Sequence, residues 1–141
     1  MTDTYTLEPR PPEVADYMRL RAAAGMSARS VEGATIGLPN SWFGVTIRHE
    51  GHAVGMGRII GDGGTAFQIV DIVVEPDHQK RGLGKRIMTA LMERLSAEAP
   101  ASAYVSLIAD GDAQHLYAKY GFAPTAPESI GMYWRVPQRP K

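Results

Sequence analysis

The stretch of this 141-residue chain with the most chemistry in it is Gln79-Lys80-Arg81-Gly82-Leu83-Gly84-Lys85-Arg86. Two glycines let the backbone turn tightly and leave its amides free of side-chain cover. Four cations, Lys80, Arg81, Lys85 and Arg86, crowd the same turn. The residues that follow carry a helical pattern, and a helix N-terminus already presents free N–H groups and positive partial charge. Cations gathered there make sense together if a polyanion sits on the turn, with amides gripping its oxygens and side chains neutralising the rest. The plainer alternative is a solvated basic loop. Asp71 is the other residue of note, an ionisable group inside the apolar run Ile69 to Val74 and a candidate general base, acting directly or through water. Its alternatives are a carboxylate facing solvent or one paired with Arg58 on a neighbouring strand.

The elements that must position these residues are readable on either side of the turn. Ile69 to Val74, halted at Pro76, reads as a strand buried on both faces. Leu83, Ile87, Met88, Leu91, Met92 and Leu95 recur at three- and four-residue spacing and predict a helix ending near Ala99-Pro100. Upstream, Trp42 to Arg48, His52 to Ile60 and Phe67 onward are strand-like runs. Turns at His49-Glu50-Gly51 and Asp62-Gly63-Gly64 join them into an antiparallel meander. Tyr104 to Ala109 predicts a strand parallel to its predecessor, since a helix intervenes. At the start, Thr4 to Leu7 reads as a short strand and Val14 to Ala24 as a helix. A second helix opens at Ser27 or Ser30 and fades by Gly37-Leu38-Pro39. Beyond the sheet, Asp112 is the expected N-cap of a helix over Ala113 to Tyr120, closed by Gly121, and Gly131 to Val136 predicts a last strand pairing back onto one that starts near Phe122.

Two familiar phosphate motifs do not fit the turn. A P-loop needs G-x-x-x-x-G-K-[ST], but Gln79 stands where its first glycine belongs and Arg86 follows Lys85. The dinucleotide fingerprint needs a glycine where Ile87 stands. Gln79-x-x-Gly82-x-Gly84, following Val74-Glu75-Pro76, instead resembles the acyl-CoA diphosphate loop of the GNAT superfamily of N-acyltransferases. Leu116-Tyr117-Ala118-Lys119-Tyr120-Gly121-Phe122 is similar to a second segment of that family, and the resemblance spans about Trp42 to Arg135. It implies an α+β fold: one domain over residues 1–141, with a mixed β-sheet, antiparallel meander then parallel strand pair, flanked by helices.

The resemblance also implies acetyl-CoA as donor, an amine as acceptor and direct attack in a ternary complex. Gln79, Lys80, Arg81, Gly82, Leu83, Gly84 and Lys85 would hold the diphosphate, and the main chain of Val73 and Val74 the pantetheine arm. Tyr117 would protonate the departing thiolate, a suitable task for a phenol with pKa about 10. Asp110 stands where relatives often carry an asparagine near the cofactor. Gln68 occupies a place where some relatives carry a strand glutamate, and it cannot act as a base. A homodimer is suggested by the resemblance alone.

Composition narrows the rest. With 44% apolar residues the chain can bury a core of one ordinary domain, and a formal charge of zero gives no global pull toward nucleic acid or anionic membrane. No cysteine means no disulfide, no thiolate metal site and no cysteinyl intermediate. His49 and His52 bracket a turn with no third ligand evident, so no metal is expected. The N-terminus lacks the pattern of a targeting peptide and no apolar run reaches membrane-span length, which gives an expectation of a cytoplasmic protein. Glu32, Asp62 and Asp71 could meet a cation, so a small amine or aminoglycoside-like polyamine is preferred over a protein N-terminus or lysine. Binding of acyl-CoA without turnover, and a phosphorylated partner on the basic turn, are the rival readings.

Overall fold

The computed structural model describes residues 4–138. It comprises β1 (Tyr5–Glu8), α1 (Val14–Ala23), α2 (Val31–Gly37), β2 (Phe43–His49), β3 (His52–Gly61), β4 (Ala66–Val74), α3 (Leu83–Glu98), β5 (Tyr104–Leu107) and α4 (Ala113–Ala118). The chain divides into two units, one through Leu107 and one from Ile108.

The larger unit is a sheet of order β1-β2-β3-β4-β5, antiparallel from β1 to β4 and parallel between β4 and β5. This is the α+β arrangement expected, and the turn residues explain it. Glu50 and Gly51 both take positive φ in the β2–β3 connection, which matches strand twist in a two-residue hairpin. In the β3–β4 connection the Asp62 carboxylate accepts from the amides of Gly64, Thr65 and Ala66 at 2.8, 2.8 and 3.2 Å and from the Thr65 hydroxyl at 2.6 Å. Those bonds hold its pKa well below the usual carboxylate range. Ser30, one of the two capping serines considered, accepts from the Gly33 amide at 2.9 Å and starts α2.

One face of the sheet carries the α1–α2 layer, whose core joins Tyr17, Leu20, Ala34 and Leu38 to Ala53, Met56 and Val73. The stripe Leu83, Ile87, Met88, Leu91 and Leu95 of α3 is buried. Gly57 lets α3 come close, since a Cβ there would stand 2.6 Å from Ile87 Cγ2 and 2.7 Å from Ile72 Cδ1.

In the smaller unit α4 is shorter than expected, and Asp112 precedes it in helical conformation with no side-chain cap bond. Gly121, at φ +92°, follows the helix as foreseen. The predicted final hairpin is not formed, because 122–138 contain no strand. Met132, Tyr133, Trp134 and Val136 are exposed, so these strand-favouring residues have no ladder among the described residues to pack on. Among the described residues, no helix is long and apolar enough to cross a membrane.

Candidate active site

The sheet opens beside β4. Its parallel pairing to β5 ends at Ile69↔Leu107, while β4 itself continues to Val74. Along that extension β4 is paired only to β3, through Met56↔Val73 and Gly55↔Val74. On the side of β4 turned toward β5, the main chain of Val74 therefore lies beyond the parallel ladder, while Val73, opposite Met56, bonds toward β3.

A bulge lies at the root of this opening. Between the pairs Arg58↔Val70 and Met56↔Val73, Asp71 and Ile72 together oppose Gly57. Asp71 takes up the extra residue in the left-handed region, at φ +58°, a conformation that aspartate tolerates better than most residues. Its carboxylate is claimed from three directions. Arg21 Nη1 donates to Oδ1 at 2.6 Å, and Arg58 Nε and the Tyr17 hydroxyl donate to Oδ2 at 2.7 and 3.0 Å. Burial, then the Asp71 charge and hydrogen bond, push the Tyr17 phenol above its ordinary value, which keeps it a donor.

As a base, Asp71 would have to break these bonds. The observed state is the alternative considered from sequence, pairing with Arg58, extended by Arg21 and Tyr17. Arg21 was legible in principle: it stands four residues after Tyr17 and one after Leu20, an arginine on a buried helical stripe. Asp62 and Asp71, two of the three acids that suggested a cationic acceptor, are thus engaged within the protein, and Glu32 is an exposed residue of the first turn of α2. The electrostatic ground for preferring a polyamine is removed.

Past β4, Pro76–His78 form a short 3-10 turn, and Gln79 Nε2 donates to the Val74 carbonyl at 3.0 Å. The Gln79 side chain thereby ties the end of the strand to the turn instead of pointing at a ligand. Lys80 and Gly82 adopt positive φ, +65° and +79°, on either side of Arg81. Such an alternation turns successive N–H groups toward one concavity. Gly82 begins α3 with no side-chain cap, so the first amides of a helix running from Leu83 to Glu98 depend on some other acceptor. Lys80, Arg81 and Lys85 are exposed around them, Gly84 is half-buried, and Leu83 is buried and anchors the turn to the core.

In the smaller unit Tyr117 is 9% exposed, whereas Tyr120 is half-buried. Burial, with the Asp110 carboxylate adding to it, pushes the Tyr117 phenol above its usual value, so the ring is neutral and holds a proton to give. Asp110 itself is exposed. In the β2–β3 hairpin of the larger unit, His49 stacks with Tyr5 and His78, at 4.7 and 5.0 Å between ring centroids, and His52 is exposed. Among the described residues, no cluster of three metal-ligating side chains forms.

The sequence pattern of the Acetyltransferase (GNAT) domain family matches residues 27–133. The chain belongs to the GNAT family. A Staphylococcus aureus structure described as a probable acetyltransferase superposes on this GNAT chain with a TM-score of 0.90 at 46% identity, covering 94% of this chain and 99% of the other. An acetyltransferase of the GNAT family from Streptococcus pneumoniae shares the fold at TM-score 0.74 and 22% identity, covering 95% and 99% of the two chains. Among curated proteins, the N-acetyltransferase ycf52 of Gracilaria tenuistipitata var. liui, itself called uncharacterized, is 28% identical over 124 residues, 84% of this chain. This GNAT chain spans 66% of the length of that relative.

Proposed function

We propose that this GNAT chain transfers the acetyl group of acetyl-CoA to a primary amine on a small molecule by direct attack in a ternary complex. One observation carries the reading: β4 outruns its parallel pairing to β5, and its end at Val73 and Val74 leads directly into an uncapped, basic glycine turn. An extended amide-bearing arm followed by a diphosphate has that sequence of needs. The arm adds to a strand edge through main-chain hydrogen bonds, and the diphosphate takes the helix N-terminal amides with Lys80, Arg81 and Lys85 around it. Gly82 and Gly84 keep the backbone bare, Leu83 seats the turn, and Gln79 fixes its register against Val74.

In the reaction the amine nitrogen bonds to the thioester carbonyl carbon while an amide of β4 polarises the carbonyl oxygen. The C–S bond then breaks, and Tyr117 gives its proton to the thiolate and recovers one from water. Asp71 is committed to Arg21, Arg58 and Tyr17, so the amine attacks in its neutral form and the proton its nitrogen gives up on forming the amide passes to water. The test is release of CoA from acetyl-CoA over a panel of amines. Amine-dependent release supports the proposal; CoA binding with no release over the panel would make the chain a binding module.

A further inference from the structure

The Asp71 cluster holds more positive charge than it neutralises. Arg21, Arg58 and Asp71 have side chains 4%, 15% and 7% exposed, so two guanidiniums share one carboxylate, with one positive charge in excess in a largely dry setting. Arg21 is fully used: besides Asp71, its Nε and Nη2 donate to the Ser27 carbonyl at 3.2 and 2.6 Å. Arg58 is not. Its Nε holds Asp71 and its Nη1 the Ser41 hydroxyl at 3.1 Å, while among the described residues Nη2 meets no acceptor. No buried side-chain nitrogen lacks a partner among the described residues, so this Nη2 faces accessible space. Tyr17 lies against the same group: the Arg58 guanidinium carbon is 5.8 Å from its ring centroid, and its phenol braces the same carboxylate.

We infer that the accessible edge of Arg58 binds an anionic group, carboxylate or phosphate, on the acceptor amine, making Arg58 the residue that selects acidic amines. The inference rests on the acetyl transfer proposed above. It gains from position: Asp71, which orients Arg58, lies two residues before Val73 on β4, at most about 7 Å along the strand. A small molecule can therefore keep its anion on Arg58 while its amine reaches a thioester held at Val73. An incoming anion also compensates the surplus charge, which a neutral or cationic acceptor does not.

Calorimetric titration with CoA present and ionic strength fixed tests this, using 4-aminobutyrate, 6-aminohexanoate and O-phosphoethanolamine against 4-aminobutanamide and ethanolamine. The acids should bind at least tenfold tighter than their neutral counterparts, with the carboxylate and phosphate arms showing which anion fits. Arg58→Gln should abolish that preference, and Arg58→Lys, which keeps the charge without the fork, should restore part of it. CoA binding by each variant reports that it is folded. Equal binding of acids and neutral analogues, no binding by any acid, or a preference that survives Arg58→Gln overturns the inference. Turnover of the same panel separates the two readings. Arg58-dependent acid binding without CoA release leaves the site and removes the reaction, whereas turnover indifferent to the acid leaves the reaction and removes the site.

Discussion

Asparagine at position 71 isolates the role of charge in this sheet. Asp71→Asn preserves side-chain shape, and asparagine accepts the left-handed backbone at φ +58° at least as readily as aspartate. What disappears is the negative charge that pairs with both Arg21 and Arg58, whose side chains are 4% and 15% exposed. Removing one partner of a buried ion pair costs roughly 3–5 kcal/mol, because the charge left behind is uncompensated. Against a typical net stability of about 5–15 kcal/mol that is a severe loss. For a chain of this size it corresponds to a fall in Tm of ~10–20 °C. Arg58→Gln behaves differently, since Asp71 keeps Arg21 and Tyr17 and the cluster becomes charge-balanced; the main loss is the charged hydrogen bond to Asp71, about 1.5–3 kcal/mol, with the weaker bond to the Ser41 hydroxyl beside it. The double variant should cost less than the two single variants summed, because the second change removes a cation that the first had stranded. Urea unfolding with constant m-values measures all three. Equal costs for the single variants, or strict additivity in the double, would refute the charge-surplus account.

Three further outcomes are expected. Tyr117→Phe should lower kcat by about 100-fold or more while CoA affinity holds, measured by CoA release and calorimetry; unchanged kcat would take the proton from another source. Gly57→Ala should destabilise by about 1–3 kcal/mol in chemical denaturation, since its Cβ would press on Ile87 and Ile72 at 2.6 and 2.7 Å. Asp62→Ala should lower Tm by its full amount near neutral pH and by progressively less below about pH 4. A carboxylate whose pKa is depressed on folding stabilises above its unfolded value, and that contribution fades as pH falls toward the folded one; a difference that grows on acidification would contradict the turn's bonding.

Much of the fold was written in local chemistry. The meander follows from Glu50-Gly51 and Asp62-Gly63-Gly64, and α3 from a stripe that burial then satisfies. The bare glycine turn ahead of α3 was legible because a strand, paired glycines and a helical stripe follow one another there. The bulge at Asp71 was not, since a two-against-one register is set by the partner strand and leaves no mark on β4 alone. That Arg21 lies on a buried stripe could be read, but its pairing with Asp71, like that of Tyr17, could not, the two being 50 and 54 residues away in the chain. The final hairpin was expected over Gly131 to Val136, where aromatic and branched residues favour a strand, but propensity alone does not form one without an available neighbour. Gln79 illustrates a subtler gap: a motif position does not say where a side chain points, and this one serves the Val74 carbonyl.

The most direct test of the account is a crystal of this GNAT chain soaked with acetyl-CoA. The account predicts diphosphate oxygens within hydrogen-bonding distance of the amides from Arg81 to Gly84, and pantetheine amides paired with the main chain of Val73 and Val74. A diphosphate held elsewhere, or a turn still empty at saturating acetyl-CoA, would contradict it.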